Sequence, residues 1–240
     1  MLIGGLEKLS LIDFPGEIAT VVFTKSCNFR CHFCYNPMLV LANGEGESEN
    51  MEEDYSLISE NDLLLFLSDR AGKISGVVIT GGEPTLHNDL PEFIKKIRKM
   101  GLKVKLDTNG TNPEMIKKLI KENLLDYIAM DIKAPLDDYE KVVGLPIEKN
   151  EIIKSIKIIK SSKLPYEFRS TLVPGLHDKN DILKMSKELA GSKKWFLQKF
   201  KSDTDLVNDS FGGKASFTDK DMLEFLDIAQ KNVPSCQIRE

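Results

Sequence analysis

The sequence predicts an α/β fold, a partial (β/α)6 barrel of mostly parallel strands with outer helices. Three observations predict it. Six short runs rich in β-branched and aromatic residues alternate with stretches of helical period. Several of those runs lack clean polar–apolar alternation, as strands buried on both faces of a parallel sheet do. The stretches between them carry readable start and stop signals. Six units are too few for a closed eight-stranded barrel, so the sheet is expected to stay open. Chemistry then belongs on the loops at the C-terminal ends of the strands.

The elements follow in order. IATVVFT (18–24) is the first strand. Ser59 and Asp62 are spaced as a capping box ahead of LLLFL. GVVIT (76–80) is the second strand, and LPEFIKKIRKMG is a helix with Gly101 as its C-terminal stop. LKVKLDT (102–108) leads to Asn112-Pro113, a cap followed by proline at the first helical position. YIAMDIK (127–133) is the fourth strand, and Asn150 can cap EIIKSIKIIKSS. YEFRSTLV (166–173) precedes ILKMSKELA, which Asn180 or Asp181 can open. KWFLQKF (194–200) is the sixth strand, and Thr218 can cap DKDMLEFLDIAQ. One stretch departs from the pattern. ANGEGESENMEED (42–54) is acidic, Gly-rich and without apolar period, so it reads as a flexible surface insertion, with a lid or docking segment as the alternative. There is no internal repeat and no dividing linker, so one domain is expected over 1–240.

Bulk properties narrow the function. The chain has 240 residues, 41% hydrophobic and 29% charged, with a net charge of −4. That balance gives no reason to expect nucleic acid, and no basic tract argues for a membrane surface. A core at this size can bury roughly three quarters of the unfolded chain's surface, so no covalent staple is needed. MLIGGLEKLSLIDF carries early charges and no long apolar run, unlike a signal peptide. No apolar window reaches the roughly 18 residues that span a bilayer. A cytoplasmic protein is expected, and in a reducing compartment clustered cysteines point to a metal site or redox chemistry.

The cluster is CNFRCHFC (27–34), with three of the chain's four cysteines. It follows the first strand directly. A structural zinc site wants four ligands, which would have to come from Cys236 or His32. A redox dithiol needs only Cys31 and Cys34 and leaves Cys27 surplus. A 4Fe–4S cluster normally takes four thiolates, so three leave one iron open for a substrate or cofactor.

Other strand ends also collect functional groups. GVVITGGEPTL ends in Gly81, Gly82 and Glu83, where a close backbone approach and a carboxylate suit a cationic amino group or simply a tight turn. KLDTNG presents Asp107, Thr108 and Asn109. MDIKAP places Asp131 and Lys133 on one face of a strand, where a plain salt bridge would also explain them. Arg169, inside FRSTLVPGLHD, needs a partner to offset its desolvation. Gln198 in FLQKF is expected to line the pocket. The remaining singletons read as structure: His32 as loop, His87 and His177 as solvated loop histidines, Trp195 as core or partner-facing, Met130 as core, and Cys236 as a spare thiol.

The cysteine loop resembles the signature of the radical S-adenosylmethionine superfamily, with Phe33 as the aromatic residue before the last cysteine. LSLIDFPGEIATVVFTKSCNFRCHFCYNP resembles activating enzymes for glycyl radical enzymes, above all those related to anaerobic ribonucleotide reductase. Those activators often have His-Asn after the last cysteine; here the pair is Tyr35-Asn36. The resemblance implies one 4Fe–4S cluster on Cys27, Cys31 and Cys34, with an open iron chelated by the amino and carboxylate groups of S-adenosylmethionine. It implies that Gly81, Gly82 and Glu83 bind the methionine ammonium, that Phe33 packs on the adenine and that Val173 lies near it. Asn36 and Asn109 belong to the same cofactor pocket. Asp107, Thr108 and Asp131 would help hold the cofactor, bridged to it by a monovalent cation, and Lys133 would bind its ribose or carboxylate. Arg169 would contact the methionine carboxylate or the partner's backbone. The implied reaction is reductive cleavage to a 5′-deoxyadenosyl radical, which takes a hydrogen atom from a glycine of a partner such as anaerobic ribonucleotide reductase or pyruvate formate-lyase. A flavodoxin- or ferredoxin-type donor would supply the electron. The alternatives are a radical enzyme acting on a small molecule, a peptide or a nucleotide such as a deazaguanine precursor, and a zinc- or cluster-bearing structural protein.

Overall fold

A computed structural model describes residues 1–40, 57–203 and 205–239; the acidic stretch 42–54 lies outside them. Among the described residues eight strands form one sheet whose spatial order is their chain order. They are β1 (Ile3–Ser10), β2 (Ala19–Thr24), β3 (Gly76–Gly81), β4 (Lys103–Thr108), β5 (Tyr127–Asp131), β6 (Tyr166–Leu172), β7 (Trp195–Lys199) and β8 (Cys236–Arg239). β1 pairs antiparallel with β2, and every later pairing is parallel. The helices are α1 (Pro37–Val40), α2 (Glu60–Arg70), α3 (Leu90–Arg98), α4 (Pro113–Lys121), α5 (Tyr139–Val143), α6 (Lys149–Ser161), α7 (Lys179–Glu188) and α8 (Asp219–Gln230). Chain order equals sheet order because each parallel pair needs a crossover, and a helix is the compact way to make one. The open α/β barrel predicted from the alternation is therefore what forms, widened by β1 and β8.

Side-chain caps set four of the α-helix starts among the described residues. Ser59 caps α2 by accepting from the Asp62 N–H, Asn112 caps α4 through the Met115 N–H, and Thr218 forms a capping box with Asp221 at α8. Two expected starts move. α6 begins at Lys149 after Glu148, with Asn150 inside the helix and no side-chain cap. α7 is capped by Asp178, which forms a capping box with Asp181, so Asn180 is helical and Asp181 is the reciprocal partner. A carboxylate two residues earlier satisfies two free amide N–H groups at once, which neither later residue can do alone.

The sheet has two unlike faces. The outer face packs Val22, Val77, Ile79, Val104, Leu106, Ile128, Met130, Phe168, Trp195 and Leu197 against the helices in the main core. Leu90, Phe93, Ile94 and Ile97 of α3, at helical spacing, are fully buried there. Each such side chain contributes about 1.5–3 kcal/mol. The inner face carries a small apolar cluster of Phe14, Ala19, Val21, Val78 and Tyr127 at one side. Toward the C-terminal ends of the strands the same face presents Thr80, Asp107, Asp131, Arg169, Thr171 and Gln198, which with Val21, Phe23 and Val78 line a cavity.

Candidate active site

The cavity has a volume of about 380 Å3 and opens at the C-terminal ends of β2–β7. It brings together residues scattered from 27 to 198: Cys27, Cys31, Phe33, Cys34 and Asn36 of the cysteine loop, Gly81, Gly82 and Glu83 after β3, and Asp107, Thr108 and Asn109 after β4. Asp131, Lys133, Arg169 and Gln198 complete the predicted set. Val173 is the exception. It is fully buried in the core with its N–H donated to His177 Nδ1 at 3.0 Å, and Thr171 lines the cavity from β6 in its place.

β2 delivers the chain to the cysteine loop through Ser26, which has a left-handed backbone at φ 80°. The loop after β3 runs directly against it. The Gly82 N–H donates to the Thr24 carbonyl and the Glu83 N–H to the Ser26 carbonyl, both at 2.8 Å. A Cβ at Gly81, where φ is +111°, would lie 2.4 Å from the Thr24 nitrogen, and one at Gly82 would lie 2.0 Å from the Ser26 carbonyl oxygen. The two glycines are thus required to seat one loop on the other.

The three thiols share the cavity wall and none is in a disulfide. Burial pushes Cys27 up to about 11 and Cys31 up to about 12, and raises Cys34 as well; the Lys133 ammonium opposes this at each. Buried thiols beside one another become good ligands once a cationic centre replaces their protons. Among the described residues, no three Cys, His, Asp or Glu side chains converge as a single metal ion requires. A cubane offers irons at separate corners and takes thiolates spread around it, so the donor set fits a cluster better than zinc.

Opposite the thiols lies a chain of charges. Lys105 Nζ donates to Asp107 at 2.5 Å, Arg169 donates to Asp107 and to Asp131 at 2.9 Å each, and Lys133 Nζ donates to Asp131 at 3.0 Å. Burial alone would raise the Asp131 carboxyl, but Arg169 and Lys133 hold it well below the usual carboxylate range. Burial alone would lower Lys133, and Asp131 reverses that. A monovalent cation between Asp107, Thr108 and Asp131 is not what these residues fit, because Arg169 already bridges the two carboxylates.

Glu83 lines the cavity and also holds the protein's own backbone together. Its carboxylate is 1% exposed and accepts from the Thr85 N–H at 3.0 Å, the Thr85 hydroxyl, the Thr108 hydroxyl at 2.8 Å and the Asn109 N–H at 2.6 Å. It fastens β3 to the end of β4, and burial raises its pKa despite those donors. Oε2 takes one donor, the Asn109 N–H, and retains acceptor capacity toward the cavity.

Several supporting residues escaped the sequence reading. Asn28 accepts from Asn109 and donates to Thr111, both at 2.9 Å, tying the cysteine loop to β4. Arg30 donates to the Cys27 and Phe29 carbonyls at 2.8 and 2.9 Å. His177 is buried, not solvated, with Nε2 at 2.7 Å from the Lys133 carbonyl. Lys105 and Glu167 were readable: counting by two from Asp107 and from Arg169 puts both on the inner face.

The chain is similar to known proteins in sequence and in fold. The family described as the Radical SAM superfamily matches residues 21–189. A candidate glycyl-radical enzyme activating enzyme of Methanocaldococcus jannaschii is 32% identical over 99% of this chain and 95% of its own length. A probable GTP 3′,8-cyclase of Pyrococcus horikoshii is 30% identical over 70% of this chain but 52% of its own. The pyruvate formate-lyase-activating enzyme of Streptococcus mutans is 29% identical, over 77% and 70%. In fold, the chain superposes on Streptococcus suis SuiB bound to S-adenosylmethionine with a TM-score of 0.65 at 14% identity, covering 89% of this chain and 48% of that one. With that family matched along more than half its length and a 32% identical relative aligned nearly throughout, the chain belongs to the radical SAM superfamily, as a radical SAM enzyme.

Proposed function

We propose that this enzyme activates a glycyl radical enzyme, removing a hydrogen atom from the α-carbon of a partner's glycine. The observation that carries the reading is the nearly full-length similarity to the M. jannaschii activating-enzyme candidate. The similarity to the GTP 3′,8-cyclase spans only about half of that relative and supports the shared core more than a shared substrate.

The family implies a 4Fe–4S cluster and S-adenosylmethionine, and the residues fit both. Cys27, Cys31 and Cys34 would hold the cluster by three irons, and the cavity beside them would take the cofactor. Bound together, these groups supply one-electron cleavage of the sulfonium and a 5′-deoxyadenosyl radical. The chain's own residues do the rest. Phe29 and Phe33 are buried beside the cysteines and keep water from them. Lys133 and Arg169 offer positive charge to the methionine carboxylate, and Gln198, Asn36 and Asn109 offer polar contacts around it. Thr108 and Asn109 set the floor of the pocket through Glu83. With both groups bound, one electron from a flavodoxin- or ferredoxin-type donor would be consumed, methionine and 5′-deoxyadenosine would leave, and the unpaired electron would remain on the partner's glycine. We place the activity in the cytoplasm, within one domain over 1–240.

The test is anaerobic reconstitution with iron and sulfide, reduction, addition of S-adenosylmethionine and measurement of 5′-deoxyadenosine. Cys31→Ala should abolish it; undiminished product from that variant would overturn the reading. A partner is identified by a glycyl doublet in the electron paramagnetic resonance spectrum. A new small-molecule product in place of that doublet would favour the alternative substrate class.

A further inference from the structure

Asp107 and Asp131 face the same cavity, and two close carboxylates need positive charge or one of them takes up a proton. A small monovalent cation is one solution. This chain has another. All four carboxylate oxygens are committed to cationic side chains: Asp107 Oδ1 to Lys105 at 2.5 Å and Oδ2 to Arg169 at 2.9 Å, Asp131 Oδ1 to Arg169 at 2.9 Å and Oδ2 to Lys133 at 3.0 Å. The Thr108 hydroxyl is committed as well, donating to Glu83 at 2.8 Å and accepting the Gly110 N–H at 3.1 Å. Lys105 is the unexpected member. It is 1% exposed, and a lysine so deeply buried is strongly unfavourable unless its ammonium meets a carboxylate.

We propose that Lys105 is a built-in counter-cation: with Arg169 it occupies the position a monovalent ion would take, and by fixing Asp107 it positions Arg169 for the cofactor. Within this chain of contacts Lys105, Lys133 and Arg169 outnumber Asp107 and Asp131 by one charge, while Glu83 lines the same cavity and Glu167 also acts on Arg169. The cofactor part of this inference rests on the cavity being the S-adenosylmethionine site; the ion part does not. The enzyme should therefore be indifferent to which monovalent ion is present, and removing the ammonium should create an ion requirement.

Two readouts separate the parts. The first is thermal melting of the reconstituted protein at constant ionic strength in choline, sodium or potassium chloride. Wild type should melt at the same temperature in all three. Lys105→Met should melt lower in choline and recover by at least about 2–4 °C when one of the small ions fills the vacated place. Lys105→Met/Asp107→Asn, which leaves no unpaired carboxylate, should fold and show no such recovery. The second is calorimetric binding of S-adenosylmethionine. Wild-type affinity should agree within about twofold across the salts. Lys105→Met should bind about tenfold or more weakly in choline, the scale of one lost charged hydrogen bond, and regain most of this in sodium or potassium. A sodium- or potassium-specific stabilisation of the wild type, or a Lys105→Met variant that ignores the ion, would overturn the proposal. Absence of cofactor binding in every salt, with the expected melting behaviour, would overturn the cavity assignment and leave the counter-cation standing.

Discussion

His177 shows how much one side chain can hold. It is 4% exposed, its Nδ1 accepts the Val173 N–H at 3.0 Å, and its Nε2 donates to the Lys133 carbonyl at 2.7 Å. Those partners require a neutral ring, and burial keeps its pKa below the ordinary value. An unfolded histidine titrates near 6.5, so below that pH the unfolded chain binds more protons than the native one. The stability present above about pH 6.5 is therefore lost as pH falls. Denaturant unfolding from pH 7 to 5 should show a slope approaching about 1.4 kcal/mol per unit in wild type, reduced in His177→Gln. Gly82→Ala tests the other tight point. Its Cβ would sit 2.0 Å from the Ser26 carbonyl, a backbone atom one residue before Cys27. The expected loss is about 3 kcal/mol or more, with reduced iron content after reconstitution. The site residues that were legible in the sequence are those at strand ends. Cys27, Glu83, Asp107 and Asp131 announce themselves because polar groups stand where apolar strands stop. Asn28 and Thr111 were not legible, because their pairing joins loops 83 residues apart and leaves no local pattern.

At the scale of elements, the segment after β7 explains why the cysteine loop keeps its shape. Phe200 stacks on Tyr35 with centroids 6.2 Å apart and meets Phe33 edge-on at 6.5 Å. The Lys201 N–H donates to the Tyr35 hydroxyl at 2.8 Å, and the Val207 and Asn208 N–H groups donate to the Cys34 and His32 carbonyls at 3.2 Å. His32 stacks on Phe211 at 5.7 Å. Phe200→Ala should cost about 3–5 kcal/mol, read as a fall of several degrees in melting temperature, and should speed iron loss to a chelator. Conservative Phe200→Tyr keeps the ring and should lose much less. Nothing in KWFLQKF or its flank revealed this contact, since a stacking partner 165 residues away has no periodic signature. The six central strands were legible for the opposite reason: each is a local run of apolar and β-branched residues. β1 and β8 were not. IGGLEKLS contains two glycines, which disfavour strands until pairing with β2 supplies the ladder, and CQIR is too short to show a period.

Across the whole molecule, an open sheet must be kept curled without a closing ladder. The bonds that span its inner face do this. The Tyr127 hydroxyl on β5 donates to Glu167 on β6 at 2.9 Å, and Arg239 on β8 grips the same carboxylate at 2.7 and 2.9 Å while lying over Phe196 at 3.6 Å. Glu167 and Arg239 belong to strands that are not neighbours, so this bidentate pair crosses β7 and draws the far edge of the sheet inward. Burial alone would raise the Glu167 carboxyl; Arg239 outweighs it and holds the pKa below the usual range. Its contribution is present above the unfolded value near 4.3 and lost as pH falls through the folded one. Arg239→Ala should cost about 2 kcal/mol, less than the 3–5 of a fully buried pair because the arginine is one-third exposed. The acid-side loss of stability should shrink in that variant, since the unfolded and folded carboxyls then titrate closer together. Adding Glu167→Gln should recover part of the deficit by removing the stranded charge, with Tyr127 still able to bond the amide. A double variant no better than Arg239→Ala would mean that the arginine acts through its packing on Phe196 and not through the carboxylate, and the sheet would then be held curled by contact instead of charge.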